Sequence, residues 1–180
     1  MTYATWSEEL KADNSTLSNG NLTVTPGLDG WRTGFCATEL TTGKWIWECT
    51  APTNGEGFFG VGAATAIANN KASYLGLIGT AEWQSIGYYQ AGYMSRNGLT
   101  AYNGTIPAGA VVTHLLNLDD MELRFKVDGV LTPVIDISSL VLPTNPAYTL
   151  YGQIAADGTT GNFGPTLLYP ETGYSPVPLT

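Results

Sequence analysis

Charge is the scarcest property of this sequence. Only 12% of its 180 residues are Asp, Glu, Lys or Arg, about half the share usual in a soluble domain. The seven basic residues stand singly, at Lys11, Arg32, Lys44, Lys71, Arg96, Arg124 and Lys126, and the net charge is −8. Nucleic acid requires a clustered basic surface that displaces counterions, and an anionic membrane surface requires the same. Neither is an expected partner. No apolar run is long enough to span a bilayer as a helix. Glu8 and Glu9 fall where a secretory leader would need a basic start and an apolar stretch, so no leader is expected.

Catalytic and metal-binding residue types are equally sparse. One histidine and no close cysteine pair leave no zinc set. His114 lies in the apolar run Val111–Leu118 and reads as a hydrogen-bonded sheet histidine rather than a general base. Asp119-Asp120-Met121-Glu122 clusters acids, three of the four residues at an expected hairpin turn, and Asp119, Asp120 and Asp128 lack the spacing of a calcium loop. The Glu-x-Asp-x-x-Glu string of laminarinase-type sandwich hydrolases does not occur, although carboxylates on distant strands could still pair. There is no phosphate loop. No catalytic residue, metal or cofactor is expected, and the chain reads as a non-enzyme.

What the sequence has in quantity is glycine, 22 residues, and uncharged Thr, Asn and Ser. Three Asn-x-Thr/Ser sequons, at Asn14, Asn21 and Asn103, read as chance in so Asn- and Thr-rich a chain. Short β-like runs recur between turn signals every 8–12 residues or so, the rhythm of a sandwich or barrel. Strands are expected over Asn21–Thr25, Arg32–Glu39, Lys44–Ala51, Phe58–Ala63, Tyr74–Ile78, Ser85–Tyr89, Val111–Leu118, Glu122–Val127, Thr132–Ile135, Tyr148–Ile154 and Thr160–Phe163. Strict alternation over Glu122–Val127 implies one wet and one packed face. Asp128-Gly129 supplies a tight antiparallel turn. Thr65–Ser73 and Ser7–Lys11 could each form a single helical turn. If Thr41-Thr42-Gly43 closes a hairpin, Cys36 and Cys49 face each other across it. A disulfide or two buried thiols would then both be open, with the thiols favoured.

Four ordered segments carry a resemblance to a known family. They are Gly43-Lys44-Trp45-Ile46-Trp47-Glu48-Cys49, then Phe59-Gly60-Val61-Gly62. Leu116-Asn117-Leu118-Asp119 follows with Leu123-Arg124-Phe125-Lys126-Val127-Asp128-Gly129, and last comes Gly161-Asn162-Phe163-Gly164. Trp83 with Gly87-Tyr88 adds a fifth point. Over residues 20 to 165 the chain resembles the SPRY domain. The departures are Ala108-Gly109-Ala110-Val111-Val112-Thr113 for the family's Gly-Asp-Val-Ile-Gly, Asp128 for an Asn, and Asn117 for an Asp. The resemblance implies an all-β fold, a two-sheet antiparallel sandwich whose loops at one edge bind peptide or protein. Residues 1–168 are expected to form that domain. Residues 169–180, with Pro170, Pro176 and Pro178, are expected to form an extended arm laid over a surface.

Contact residues are sought among aromatics and arginine, which dominate binding hot spots. Trp31, Arg32, Tyr93, Arg96, Asn97 and Tyr102 are the candidates for an exposed loop surface. Trp45 and Trp47 share a strand face and are expected to fill the core. The acidic, uncharged-polar composition and the Pro-rich arm fit a phage virion component, such as a capsid decoration or tail-associated protein. Its partners would be other virion or scaffold proteins, or further copies of itself. The alternative is a receptor- or glycan-binding module on a virion or cell surface. Trp31, Trp83, Tyr93 and Tyr102 clustered on an open edge would favour that alternative.

Overall fold

The structure, a computed structural model, describes residues 2–11, 14–25, 32–36, 38–53, 57–63, 85–95, 99–138, 148–154 and 159–179. They form an all-β sandwich of two sheets. The first runs β1 (Thr16–Ser18), β2 (Thr23–Thr25), β14 (Thr159–Asn162), β4 (Lys44–Thr50), β9 (Val111–Asn117), β10 (Glu122–Val127) and β11 (Val130–Leu131). Two short strands join it: β12 (Ile135–Asp136) pairs with β10 and β15 (Ser175–Pro176) with β4. The second sheet runs β3 (Arg32–Phe35), β13 (Tyr148–Ile154), β5 (Gly57–Ala63), β6 (Ser85–Tyr89), β7 (Tyr93–Ser95) and β8 (Leu99–Ala101). Every pairing is antiparallel except β15 with β4.

Period-two alternation builds the core. Trp47, Cys49, Val112, Leu116, Leu123 and Phe125 from the first sheet meet Phe59, Val61, Ile86 and Tyr88 from the second in one buried cluster. Trp45 packs at its margin, as expected of a residue two positions from Trp47. Gly60 faces Gly87 across the β5–β6 pair, and a Cβ on Gly60 would lie 2.0 Å from the Ile86 carbonyl oxygen. Backbone, not a side chain, occupies that space. Asp128 and Gly129 both have positive φ, at 46° and 84°, and join Val127 to its partner Val130. That is the left-handed two-residue turn whose twist suits antiparallel strands.

Several expectations change on folding. Thr41-Thr42-Gly43 closes no hairpin, because β3 joins the second sheet beside β13 while β4 runs through the first. Cys36 and Cys49 are thus not cross-strand neighbours; both are buried and no disulfide joins them. The expected strand at Thr132–Ile135 is broken into β11 and β12, with Thr132 between them spending its hydroxyl on both backbone groups of Phe125. β1, β7, β8 and β15 are strands of two or three residues without a readable period. Ser7–Lys11 does form one turn, with the Lys11 amide donating to the Ser7 carbonyl. Tyr74–Ile78 and Thr65–Ser73 lie outside the described residues.

Candidate interaction site

The inner face of the first sheet holds the only histidine. Trp47, His114 and Phe125 are cross-strand partners on β4, β9 and β10. The imidazole stacks on the Trp47 ring at 4.4 Å between centroids and meets Phe125 edge-on at 5.1 Å. It is fully buried, neither ring nitrogen has a hydrogen-bond partner, and the Trp47 indole nitrogen has none either. The expected satisfied histidine is corrected: backbone groups of Val112 and Trp47 lie near the ring, but neither nitrogen closes a well-formed hydrogen bond. Burial holds its pKa down at about 3, so the ring stays neutral. A group sealed from solvent in this way cannot reach a substrate.

The outer face of the same sheet is not the wet face that the alternation implied. One row across β4, β9 and β10 reads Glu48, Thr113, Lys126, and all three are buried. Ile46 and Leu115 are buried in the neighbouring row. The cover is the chain after β14. Glu48 accepts the backbone amides of Leu168 and Tyr169 at 2.9 and 2.7 Å, and a longer bond from the Thr113 hydroxyl at 3.3 Å. Lys126 donates to the carbonyls of Tyr169 and Pro170 at 3.3 and 3.0 Å and pairs with Glu171 at 2.7 Å.

Beyond that clamp the segment turns at Glu171–Tyr174 and returns as β15, Ser175 beside Trp45 and Pro176 beside Ile46. Val177 is fully buried. The Ala4 amide donates to the Val177 carbonyl at 3.1 Å, the Leu179 amide to the Thr2 carbonyl at 3.0 Å, and the Thr38 hydroxyl to the Pro178 carbonyl at 2.8 Å. The arrangement is a peptide groove filled by the chain's own arm: a carboxylate reads N–H groups, an ammonium reads carbonyls, and a strand edge supplies a ladder. Beside it a cavity of about 150 Å³ is lined by Glu48, Cys49, Thr50, Val111, Thr160, Asn162 and Leu168. That is about half the size at which sites for drug-sized ligands usually start.

The sequence candidates are dispersed. Tyr93 on β7 is 41% exposed, beside Tyr89, whose ring stacks on Phe58. These three are cross-strand partners on the outer face of the second sheet. Tyr102 turns inward: its ring meets Tyr88 and Phe125 edge-on, and its hydroxyl reaches Thr132 Oγ1 at 2.6 Å and the Pro133 carbonyl. Burial raises its pKa to about 12. It joins the margins of the two sheets and offers no free ring. Arg32 lies on β3. Trp31, Trp83, Arg96 and Asn97 are outside the described residues.

No protein-family profile matches this sequence, and no curated protein matches it. The likeness lies in three dimensions. The SPRY domain of human HERC1 superposes with a TM-score of 0.69, over 90% of this chain and 99% of that one, at 14% identity. The chain has a SPRY-like fold. At that identity the shared property is the fold alone. The segments that carried the resemblance are strands of this SPRY-like sandwich: β4, β5, the β9–β10 hairpin and β14. Asn117, where the family has an acid, donates through its amide to Asp120 Oδ2 at 2.7 Å and accepts the Asp120 amide at 3.2 Å. An aspartate at that position would face Asp120 as a like charge.

Glu48 and Lys126 were not among the sequence candidates. Their signal was present but ambiguous. An acid inside an apolar strand and a lysine in an alternating one fit a solvated face equally well until a cover is known.

Proposed function

We propose that this SPRY-type sandwich is a non-enzymatic protein–protein interaction module. The observation that carries the reading is the fate of its reactive groups. His114 is sealed in the core, while Glu48 and Lys126 are committed to backbone of the same chain. Among the described residues no three His, Cys, Asp or Glu side chains gather as a metal site. On this reading residues 1–168 form the body and 169–180 the arm.

The finer proposal is a phage structural component, a capsid decoration or tail-associated protein present in many copies. Its support is compositional: an acidic, weakly charged, Thr/Asn/Gly-rich chain with a Pro-rich arm. Mass spectrometry of gradient-purified particles from the source tests this. Stoichiometric recovery with the particle, in tens of copies or more, is the expected result. Absence from every particle fraction would sink the virion reading, leaving peptide arrays to test the interaction module.

A further inference from the structure

We propose that the groove on the outer face of the first sheet also accepts residues 168–179 of a second copy, so that two chains exchange arms. Three features lead there. First, the arm is held mainly through backbone, by Glu48, Lys126, Thr38, Ala4 and the β4 edge, with Val177 as its buried apolar anchor. A second copy's arm would satisfy every one of these groups identically. Second, the connection to the body is short and local. Phe163 is buried against Trp6, and among the described residues the Asn162–Gly164 and Asn162–Thr166 hydrogen bonds tie the chain before the clamp begins at Leu168. Opening there takes β15 off the β4 edge and Val177 out of the core cluster, and leaves the other strand pairings of both sheets in place. Third, what is lost when the arm leaves is costly: buried Glu48 and Lys126 lose their backbone partners and Ile46 loses β15 beside it. An emptied groove therefore refills, with its own arm or with another.

Exchange conserves contacts, so only concentration decides between the two closed forms. A short flexible tether gives its own arm an effective concentration on the order of millimolar. Isolated chains in dilute solution then close on themselves. Copies crowded side by side meet each other's arms at comparable concentration, and exchange links them without any new surface.

The Tyr3–Pro178 contact makes this testable. Amide 4 bonds carbonyl 177 and amide 179 bonds carbonyl 2, which makes residues 3 and 178 a non-hydrogen-bonded antiparallel pair. The Cα atoms of such a pair lie about 4.5 Å apart, within disulfide reach. The intact Tyr3→Cys/Pro178→Cys double variant should close a disulfide within one chain and remain monomeric. Mixed Tyr3→Cys and Pro178→Cys single variants, oxidised at about 1 mM, should yield a 3–178 heterodimer confirmed by peptide mapping. At about 10 μM the heterodimer should fall at least tenfold. A double variant that closes while the mixed singles never link through 3–178 would overturn exchange. A double variant that fails to close would overturn the docking on which exchange depends. Neither outcome touches the particle assay, so the two proposals fail independently.

Discussion

Glu48 and Lys126 stand in one cross-strand row, on either side of Thr113, and hold the same peptide from opposite ends. Glu48 takes the amides of Leu168 and Tyr169; Lys126 takes the carbonyls of Tyr169 and Pro170. Two strand spacings separate them, about 9–10 Å, so they do not pair with each other. The arm's backbone satisfies both and turns a costly pair of buried charges into a docking site.

Glu48→Gln keeps the shape and removes the charge. A glutamine oxygen still accepts, but its amide end meets an N–H donor. The expected loss is about 1.5–3 kcal/mol in urea unfolding, the range for a hydrogen bond to a charged group. Faster amide exchange at Leu168 and Tyr169 locates the loss in the arm. Unchanged exchange there would contradict the assignment.

Lys126→Met retains the buried stem while deleting the donor, and should cost about 1–3 kcal/mol. Its ion pair contributes little of that, because the Glu171 side chain is 37% exposed. A double-mutant cycle with Glu171→Gln should return a coupling below about 1 kcal/mol. A coupling as large as the Lys126→Met effect would shift the weight from the carbonyls to the ion pair.

His114 makes stability depend on pH. Burial holds its folded pKa at about 3, below the 6.5 of an unperturbed histidine. Between those values the unfolded chain binds the proton and the native one does not. Stability is therefore complete above about pH 6.5 and falls as pH drops toward 3, at up to about 1.4 kcal/mol per unit. His114→Phe, whatever its packing cost at neutral pH, should remove that slope. Between pH 6.5 and 4.5 the wild type should lose roughly 2–3 kcal/mol more than the variant. Parallel urea midpoints for the two proteins would refute it.

Gly60→Ala should cost more than about 3 kcal/mol or prevent folding, since its Cβ would fall 2.0 Å from the Ile86 carbonyl oxygen. Gly104→Ala is the control. Nothing lies within 4 Å of the Cβ it would add, and a change within about 0.5 kcal/mol is expected. Thermal melts of the two variants decide the matter.

The sandwich was legible where local pattern and final environment agree. Ser85–Tyr89, Glu122–Val127 and Tyr148–Ile154 have the strand bounds that their runs imply. Asp128-Gly129 turns as its residue types require. Reading failed where a side chain's meaning depends on distant chain. Lys126 looks solvent-facing in its alternating strand, and only the arm some 43 residues later buries it. Tyr102 looks like an exposed loop aromatic, but Thr132 and Phe125 draw it inward from the facing sheet. Thr41-Thr42-Gly43 has hairpin chemistry, yet β3 finds a better-paired place beside β13.

The proposal that this domain works by binding protein is checked first by its mass in solution. Light scattering on the intact chain from about 10 μM to 1 mM should show a monomer that gives way to dimers and larger species over that range. A monomer of 19.1 kDa at every concentration, and equally inert toward purified particles and peptide arrays, would contradict it.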